Sequence, residues 1–145
     1  MASVSNLSKI PVVLMSSHST TQEAVESMTA RGTGAVVVMD NDKLAGIFSE
    51  RDVVRRVLAK RKSPKTTKLG EVMTSPVETV LENTSTDDAL RMMYKGQFRH
   101  LPILDSSGKP VGMVSIQDLL YNRVEELDMQ NRDLAAYISA DGPGG

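Results

Sequence analysis

The sequence predicts an α+β fold made of two β-α-β-β-α units packed sheet to sheet with quasi-twofold symmetry. Three observations predict it. The first is internal self-similarity: an offset of 65 aligns Pro11-Val12 with Pro76-Val77, Thr21 with Thr86, Ala24 with Ala89, Met28 with Met93 and Asp40 with Asp105. The second is how that alignment continues. After one inserted residue the offset is 66, and it pairs Lys43 with Lys109, Gly46 with Gly112, Ser49 with Ser115 and Asp52 with Asp118. The third is size and composition: 145 residues, 40% hydrophobic but only 3% aromatic, can build one aliphatic, Met-rich core. A single unit cannot bury both faces of its own three-stranded sheet, so the second copy supplies the cover.

Each element follows from local pattern. Val12 to Met15 and Val77 to Leu81 read as short extended pieces. Ser19-Thr20-Thr21 and Thr84-Ser85-Thr86 are capping chemistry ahead of helices whose apolar face is Ala24, Val25 and Met28, or Ala89, Leu90 and Met93. Gly32 and Gly34, or Gly96, end those helices. Strands follow at Ala35 to Met39 and Leu101 to Leu104. Asp40-Asn41-Asp42 or Asp105-Ser106-Ser107-Gly108 then turns the chain into a second strand, Leu44 to Phe48 or Val111 to Val114. A further helix starts at Ser49 or Ser115. The units are placed at residues 8–60 and 73–124, with a basic connector at 61–72, a C-terminal helix extension at 125–138 and a flexible tail at 139–145. Leu120, Val124, Leu127, Leu134 and Ile138 form an apolar stripe on that extension, fit either for a partner subunit or for packing at the end of the domain.

Composition excludes several functions. There is no cysteine, so disulfides, thiolate nucleophiles and cysteine-ligated metals are ruled out. The two histidines, His18 and His100, stand far apart in sequence, and no metal site is expected. A net charge of −1 argues against a nucleic-acid binder, and the basic run from Lys60 to Lys68 reads as a solvated connector. No apolar stretch is long enough to span a membrane and the start does not read as a secretory signal, so a cytoplasmic protein is expected. No nucleophile–base constellation or phosphate-binding Gly-Lys loop is present, so an enzyme is not expected.

The sharpest chemical signal is the repeated Gly-x-x-Ser-x-x-Asp: Gly46 to Asp52 and Gly112 to Asp118. It sets a hydroxyl at a helix N-terminus, where free N–H groups and the helix dipole favour an anion, and a carboxylate one turn inside. Such a carboxylate can accept hydrogen bonds from the vicinal hydroxyls of a ribose. The same spacing is also a capping box, in which both side chains satisfy their own helix end.

The duplication, the Gly-x-x-Ser-x-x-Asp elements, Met73-Thr74-Ser75-Pro76 and Arg99-His100-Leu101-Pro102-Ile103 together resemble a tandem pair of cystathionine-β-synthase (CBS) domains, a Bateman module. The resemblance spans about Ser8 to Val124 and leaves no room in this stretch for a catalytic domain. It implies a regulatory module that takes AMP, ADP, ATP, NAD(H) or S-adenosylmethionine in clefts between the repeats. It further implies that Asp52 and Asp118 hold ribose, that Ser49 and Ser115 sit beside phosphate, and that Arg99 and His100 reach the phosphate of the Asp52 site. The first repeat has Gly34-Ala35 where the second has Arg99-His100, so the two sites are expected to be unequal, with the Asp52 site the tighter. With so few aromatics the base would lie between aliphatic residues, for which Ile47, Met113, Leu14 and Thr79 are candidates. A homodimer assembled through its helices and an unidentified target protein complete the expectation. The competing reading is a dimerisation module without nucleotide.

Overall fold

The computed structural model describes residues 2–7 and 12–141, with side chains up to Ile138. Two three-stranded sheets form, each built in the same order. In the first, β1 (Leu14–Ser16) runs parallel to β2 (Ala35–Asp40), which pairs antiparallel with β3 (Lys43–Ser49). In the second, β4 (Val80–Leu81), β5 (His100–Leu104) and β6 (Pro110–Ser115) repeat the arrangement. Even the irregularities repeat: the register shifts between Val38 and Met39, and again between Ile103 and Leu104. The inserted residue lies in the second hairpin loop. There the Asp105 carboxylate accepts hydrogen bonds from the Ser107 hydroxyl and from the Ser107 and Lys109 amides, which holds it below the usual carboxylate range.

Strand alternation sorts the side chains into layers. Val36, Val38 and Phe48 face helix α1 (Thr21–Arg31), while Leu101, Ile103 and Val114 face α4 (Thr86–Gly96) and α5 (Ile116–Asp141). The other faces meet: Ala35, Val37, Ile47 and Met113 form the layer between the sheets, with Val12 and Val77 packed against it. This is the expected sheet-to-sheet duplication. Helix α1 starts with a full capping box on Thr20 and Glu23 and ends at Gly32, whose φ of 66° only glycine adopts without cost. Gly96 behaves differently from the expectation. It stays inside α4, and Gln97 takes the left-handed position at φ 55°. A Cβ on Gly96 would collide with the Phe98 ring, which fixes glycine there for space rather than for dihedral freedom.

Three further differences from the sequence reading matter. Helix α2 (Glu50–Asp52) is only one turn long and passes into a π-helical stretch, Val53–Leu58, where Ala59 donates to Val54 and Lys62 to Val57, each five residues back. Helix α5 continues through Ser139–Asp141, part of the expected flexible tail, while Gly142 to Gly145 lie outside the described residues, as do Ser8 to Pro11. The connector, read as a solvated basic run over 61–72, is structural in its second half. Thr67 is buried, and Leu69 and Val72, on helix α3 (Leu69–Val72), enter the core of the first sheet. Lys68 bridges Thr20 there. The positions 65 residues earlier do the same for the other half: Ser3 bridges Ser85, and Val4, on a single 3₁₀ turn (Val4–Asn6), lies fully buried in the core of the second sheet. Each repeat's leading segment therefore completes the other repeat's core.

This exchange predicts a sharp contrast within one short segment. Leu69→Ala should cost about 2–5 kcal/mol of unfolding free energy, because it empties a closed site. Lys65→Ala, four residues away, should stay within about 0.5 kcal/mol. Urea denaturation of the two variants measures both values.

Candidate functional site

Ser49 and Ser115 end their strands and cap the following helices, as the motif requires. In the first copy the Ser49 hydroxyl accepts from the Asp52 amide at 3.4 Å, and Asp52 Oδ2 accepts from the Ser49 amide at 2.9 Å and its hydroxyl at 3.2 Å. In the second copy Ser115 Oγ accepts from the Asp118 amide at 3.2 Å, and Asp118 Oδ2 accepts from the Ser115 amide at 3.3 Å. Both carboxylates are thus folded back onto backbone nitrogen, the capping arrangement that the motif also allowed.

The two copies then part. Asp52 is 8% exposed and carries two more partners. The Thr74 hydroxyl donates to Oδ1 at 3.2 Å, and Arg56 Nε lies 3.5 Å from the same oxygen while its Nη1 donates to the Met73 carbonyl at 2.9 Å. Sequence reasoning missed both partners. Arg56 sits one turn beyond the motif, and Thr74 arrives from 22 residues away by pairing with the edge of β3, where Ile47 and Thr74 exchange amide–carbonyl bonds of 3.0 and 2.8 Å. The approach explains the motif's glycine. A Cβ on Gly46 would lie 2.7 Å from the Thr74 carbonyl oxygen, and backbone cannot yield. Asp118 is half-buried, and among the described residues its Oδ1 has no partner. Since no buried polar side-chain atom among the described residues lacks a partner, that oxygen is reached by solvent.

His100 stands where the repeats meet. It pairs with Ser115 across β5 and β6. Its Nε2 lies 3.2 Å from where a Gly34 Cβ would stand, and so does Glu50 Oε1. The first repeat therefore needs a residue without a side chain at the position that holds Arg99 in the second. Burial pushes the His100 pKa below its ordinary value, against the opposing pull of Glu50 and then Asp118, with Arg99 adding to the decrease. The equivalent loops close alike: the Glu50 amide donates to the Gly34 carbonyl and the Ile116 amide to the Arg99 carbonyl. Arg51 crosses between repeats, its Nη1 3.5 Å from the Gln97 carbonyl oxygen. Glu50 is a further residue that sequence reasoning left unassigned, and Arg51, which reads in sequence as a solvated helix charge, shows its contact only across the repeat interface.

Among the described residues the Arg99 side chain makes no ion pair, and His100 lies in the field of Glu50 and Asp118. Ile47 and Met113 are buried in the layer between the sheets. Leu14 is exposed on the edge strand β1, and Thr79 is half-buried just ahead of β4. Two open hollows on the surface lie at Asp40–Ala45 and around Asp87, Tyr94 and Arg123, and neither includes Asp52 or Asp118. Among the described residues no group of three or more His, Asp or Glu is arranged to hold a metal ion, and no helix is long and apolar enough to cross a membrane.

The CBS-domain sequence profile matches residues 4–59 and 69–125. Over 124 residues the chain is 37% identical to the CBS domain-containing protein CBSX3, mitochondrial, of Arabidopsis thaliana, covering 82% of this chain and 60% of that protein. The chain thus spans under two thirds of that relative's length. Among solved structures it is similar to the CBS-domain containing protein ATU1752 from Agrobacterium tumefaciens, with a TM-score of 0.75, 31% identity, and coverage of 84% of this chain and 99% of that one. The CBS domain pair of protein MJ0100, in complex with 5′-methylthioadenosine and S-adenosyl-L-methionine, shares the fold at a TM-score of 0.78 and 23% identity, covering 87% of this chain and 98% of that one.

The depressed His100 pKa has a signed consequence. In the pH window from the unfolded value, near 6.5, down to the lower folded value, the unfolded chain binds more protons than the native one. Stability therefore rises with pH through that window and falls on acidification. Thermal unfolding of wild type and His100→Gln from pH 7.5 to 5.5 should show the wild-type midpoint falling more steeply than that of the variant. Parallel curves would rule out His100 as the titrating group.

Proposed function

The chain belongs to the CBS-domain family, and from that premise we propose that it senses adenosine-containing nucleotides of the AMP, ADP and ATP class in the clefts between its repeats. CBS-domain pairs are regulatory ligand-binding modules; the ligand is the finer part of the reading. The observation that carries it is the convergence of Glu50, His100, Ser115 and Asp118 from both repeats at the start of α5. That 26-residue helix aims its positive end there. A phosphate dianion beside His100 would oppose the burial that lowers its pKa, adding to the pull of Glu50 and Asp118. The free oxygen of Asp118 supplies an acceptor for ribose hydroxyls.

The two clefts are unequal on this reading, in the reverse of the order expected from Arg99-His100 standing opposite Gly34-Ala35. Asp52 already accepts from Ser49 and Thr74 and pairs with Arg56, so sugar must displace a partner there. Asp118 has capacity to spare. Ligand affinity for one arrangement of the repeats over another then shifts a homodimer's population towards it. The two ligands seen with the MJ0100 domain pair, 5′-methylthioadenosine and S-adenosyl-L-methionine, support the adenosine class and keep S-adenosylmethionine, with NAD(H), among the choices.

A second reading has a specific observation behind it: both motif carboxylates cap their helices, which is all that a structural dimerisation module needs. One panel separates the two. Thermal shift with AMP, ADP, ATP, NADH and S-adenosylmethionine is run on wild type, Asp52→Ala and Asp118→Ala. Asp118→Ala should cost the unliganded protein roughly 0.5–1 kcal/mol and abolish most ligand-induced stabilisation, which for wild type reaches about 2.7 kcal/mol at a hundredfold excess over Kd. Asp52→Ala should instead destabilise the free protein by about 1–2 kcal/mol, because it strands the Ser49 amide and Thr74. No stabilisation of wild type by any of the five ligands would favour the dimerisation module.

A further inference from the structure

We propose that α5 forms a parallel two-stranded coiled coil with α5 of a second copy of this chain. This deepens the homodimer part of the reading above and does not depend on ligand binding. Leu120, Val124, Leu127, Asn131, Leu134 and Ile138 follow one another along α5 in steps of four, three, four, three and four, the 3.5-residue repeat of a coiled-coil seam. The two classes of seam position are chemically distinct. One holds Val124, Asn131 and Ile138; the other holds Leu120, Leu127 and Leu134. β-Branched residues in the first class with leucine in the second favour two parallel strands. A single asparagine in the first class fixes register, because its amide finds a partner only in its twin.

The fold makes no use of this stripe. Its five apolar members are 48–63% exposed, whereas Leu119, on the inward side of the same helix, is 2% exposed. Charge supports the parallel pairing. The positions flanking the seam bring Arg123 opposite the partner subunit's Asp128, and the other flanking residues, Tyr121, Gln130, Ala135 and Tyr137, carry no charge to repel. Arg123 now reaches Asp87 at 3.3 Å and Glu126 at 3.5 Å, while Asp128 holds Arg132 at 3.0 Å; these are exposed pairs that exchange partners at little cost. The seam is about 28 Å long. A free helix of that length is marginal in water, but this one grows from a folded body that already sets its first turns.

Because the chain has no cysteine, single cysteines report the geometry cleanly. Val124→Cys, and Ile138→Cys on a size-tagged copy, are oxidised separately and after mixing. In a parallel seam each variant cross-links to itself, and the mixture yields no mixed-size product, since positions 124 and 138 of facing helices lie roughly 21 Å apart. A cross-link found only in the mixture means an antiparallel seam and overturns the proposal, as does no cross-link at all. Sedimentation supplies the second readout. Leu127→Glu/Leu134→Glu, at exposed positions, should be monomeric with an unchanged far-ultraviolet circular dichroism spectrum, and a persistent dimer would show that another face carries the association. The thermal-shift panel on that monomer keeps the two questions apart. Ligand stabilisation retained there leaves the sensor reading intact whatever the seam does, and parallel cross-links in a protein that no ligand stabilises reject the sensor reading alone.

Discussion

The exchange of leading segments is the constraint on which the rest of the molecule depends. Val4 closes the core beneath the second sheet, and Leu69 and Val72 close the core beneath the first. Neither half keeps its core if the other departs, so the repeats are bound by more than the thin aliphatic layer of Ala35, Val37, Ile47 and Met113 between their sheets. A layer with so little aromatic area, and with residues as small as alanine in it, is weak cement by itself. Thr74, which reaches Asp52, is carried there by the stretch that follows the same connector.

Duplication normally predicts two equal sites. Here the quasi-twofold relation is broken at the place where chemistry would occur. Gly34 and Ala35 oppose Arg99 and His100, and the imidazole fits because the facing position has no Cβ. One repeat supplies the space and the other the ionisable group. The carboxylates diverge in the same way: Asp52 is tied to Thr74 and Arg56, while Asp118, among the described residues, has only its own cap. The duplicated motif thus becomes one buried carboxylate held by several partners and one with a free oxygen. A buried carboxylate with four contacts serves rigidity, whereas an acceptor with spare lone pairs serves recognition.

Much of the fold was legible in the sequence, for a physical reason. Strand alternation, the Thr20 and Ser85 caps and the position of the inserted residue are local features, and a duplicated chain states each of them twice. What escaped depends on distance. Leu69 and Val72 sit beside a run of lysines that reads as solvent-exposed, and Val4 is an isolated apolar residue among polar neighbours; only the tertiary exchange gives any of them a core to enter. The motif carboxylates were found by spacing, but spacing cannot tell whether a carboxylate is already occupied. That answer required Thr74, brought in by a bridge to the edge of β3, and Arg56, an exposed residue one turn further along the helix. His100 was singled out by its neighbours in sequence, yet its setting between Glu50 and Asp118 belongs to the interface between repeats and has no local signature.

The divergence of the two second helices ties recognition to assembly. In the first repeat the helix after Asp52 widens at Val53 and ends at Leu58, where the connector must turn back to deliver Leu69. In the second repeat α5 runs on for 26 residues after Ser115. Ser115 and Asp118 stand at its start, and Leu120, the first residue of the apolar stripe, follows within the same turn. A helix transmits displacement along its axis because its hydrogen bonds resist stretching far more than its packing resists sliding. On the proposed reading, a ligand held by Asp118 would act at the base of the helix that carries the proposed seam, whereas one held by Asp52 would act on a helix that stops after two turns. For the signal to move, the seam needs two arrangements of comparable free energy. Asn131 is suited to that role, since a polar seat in an apolar seam lowers the stability of the assembled state while preserving its register.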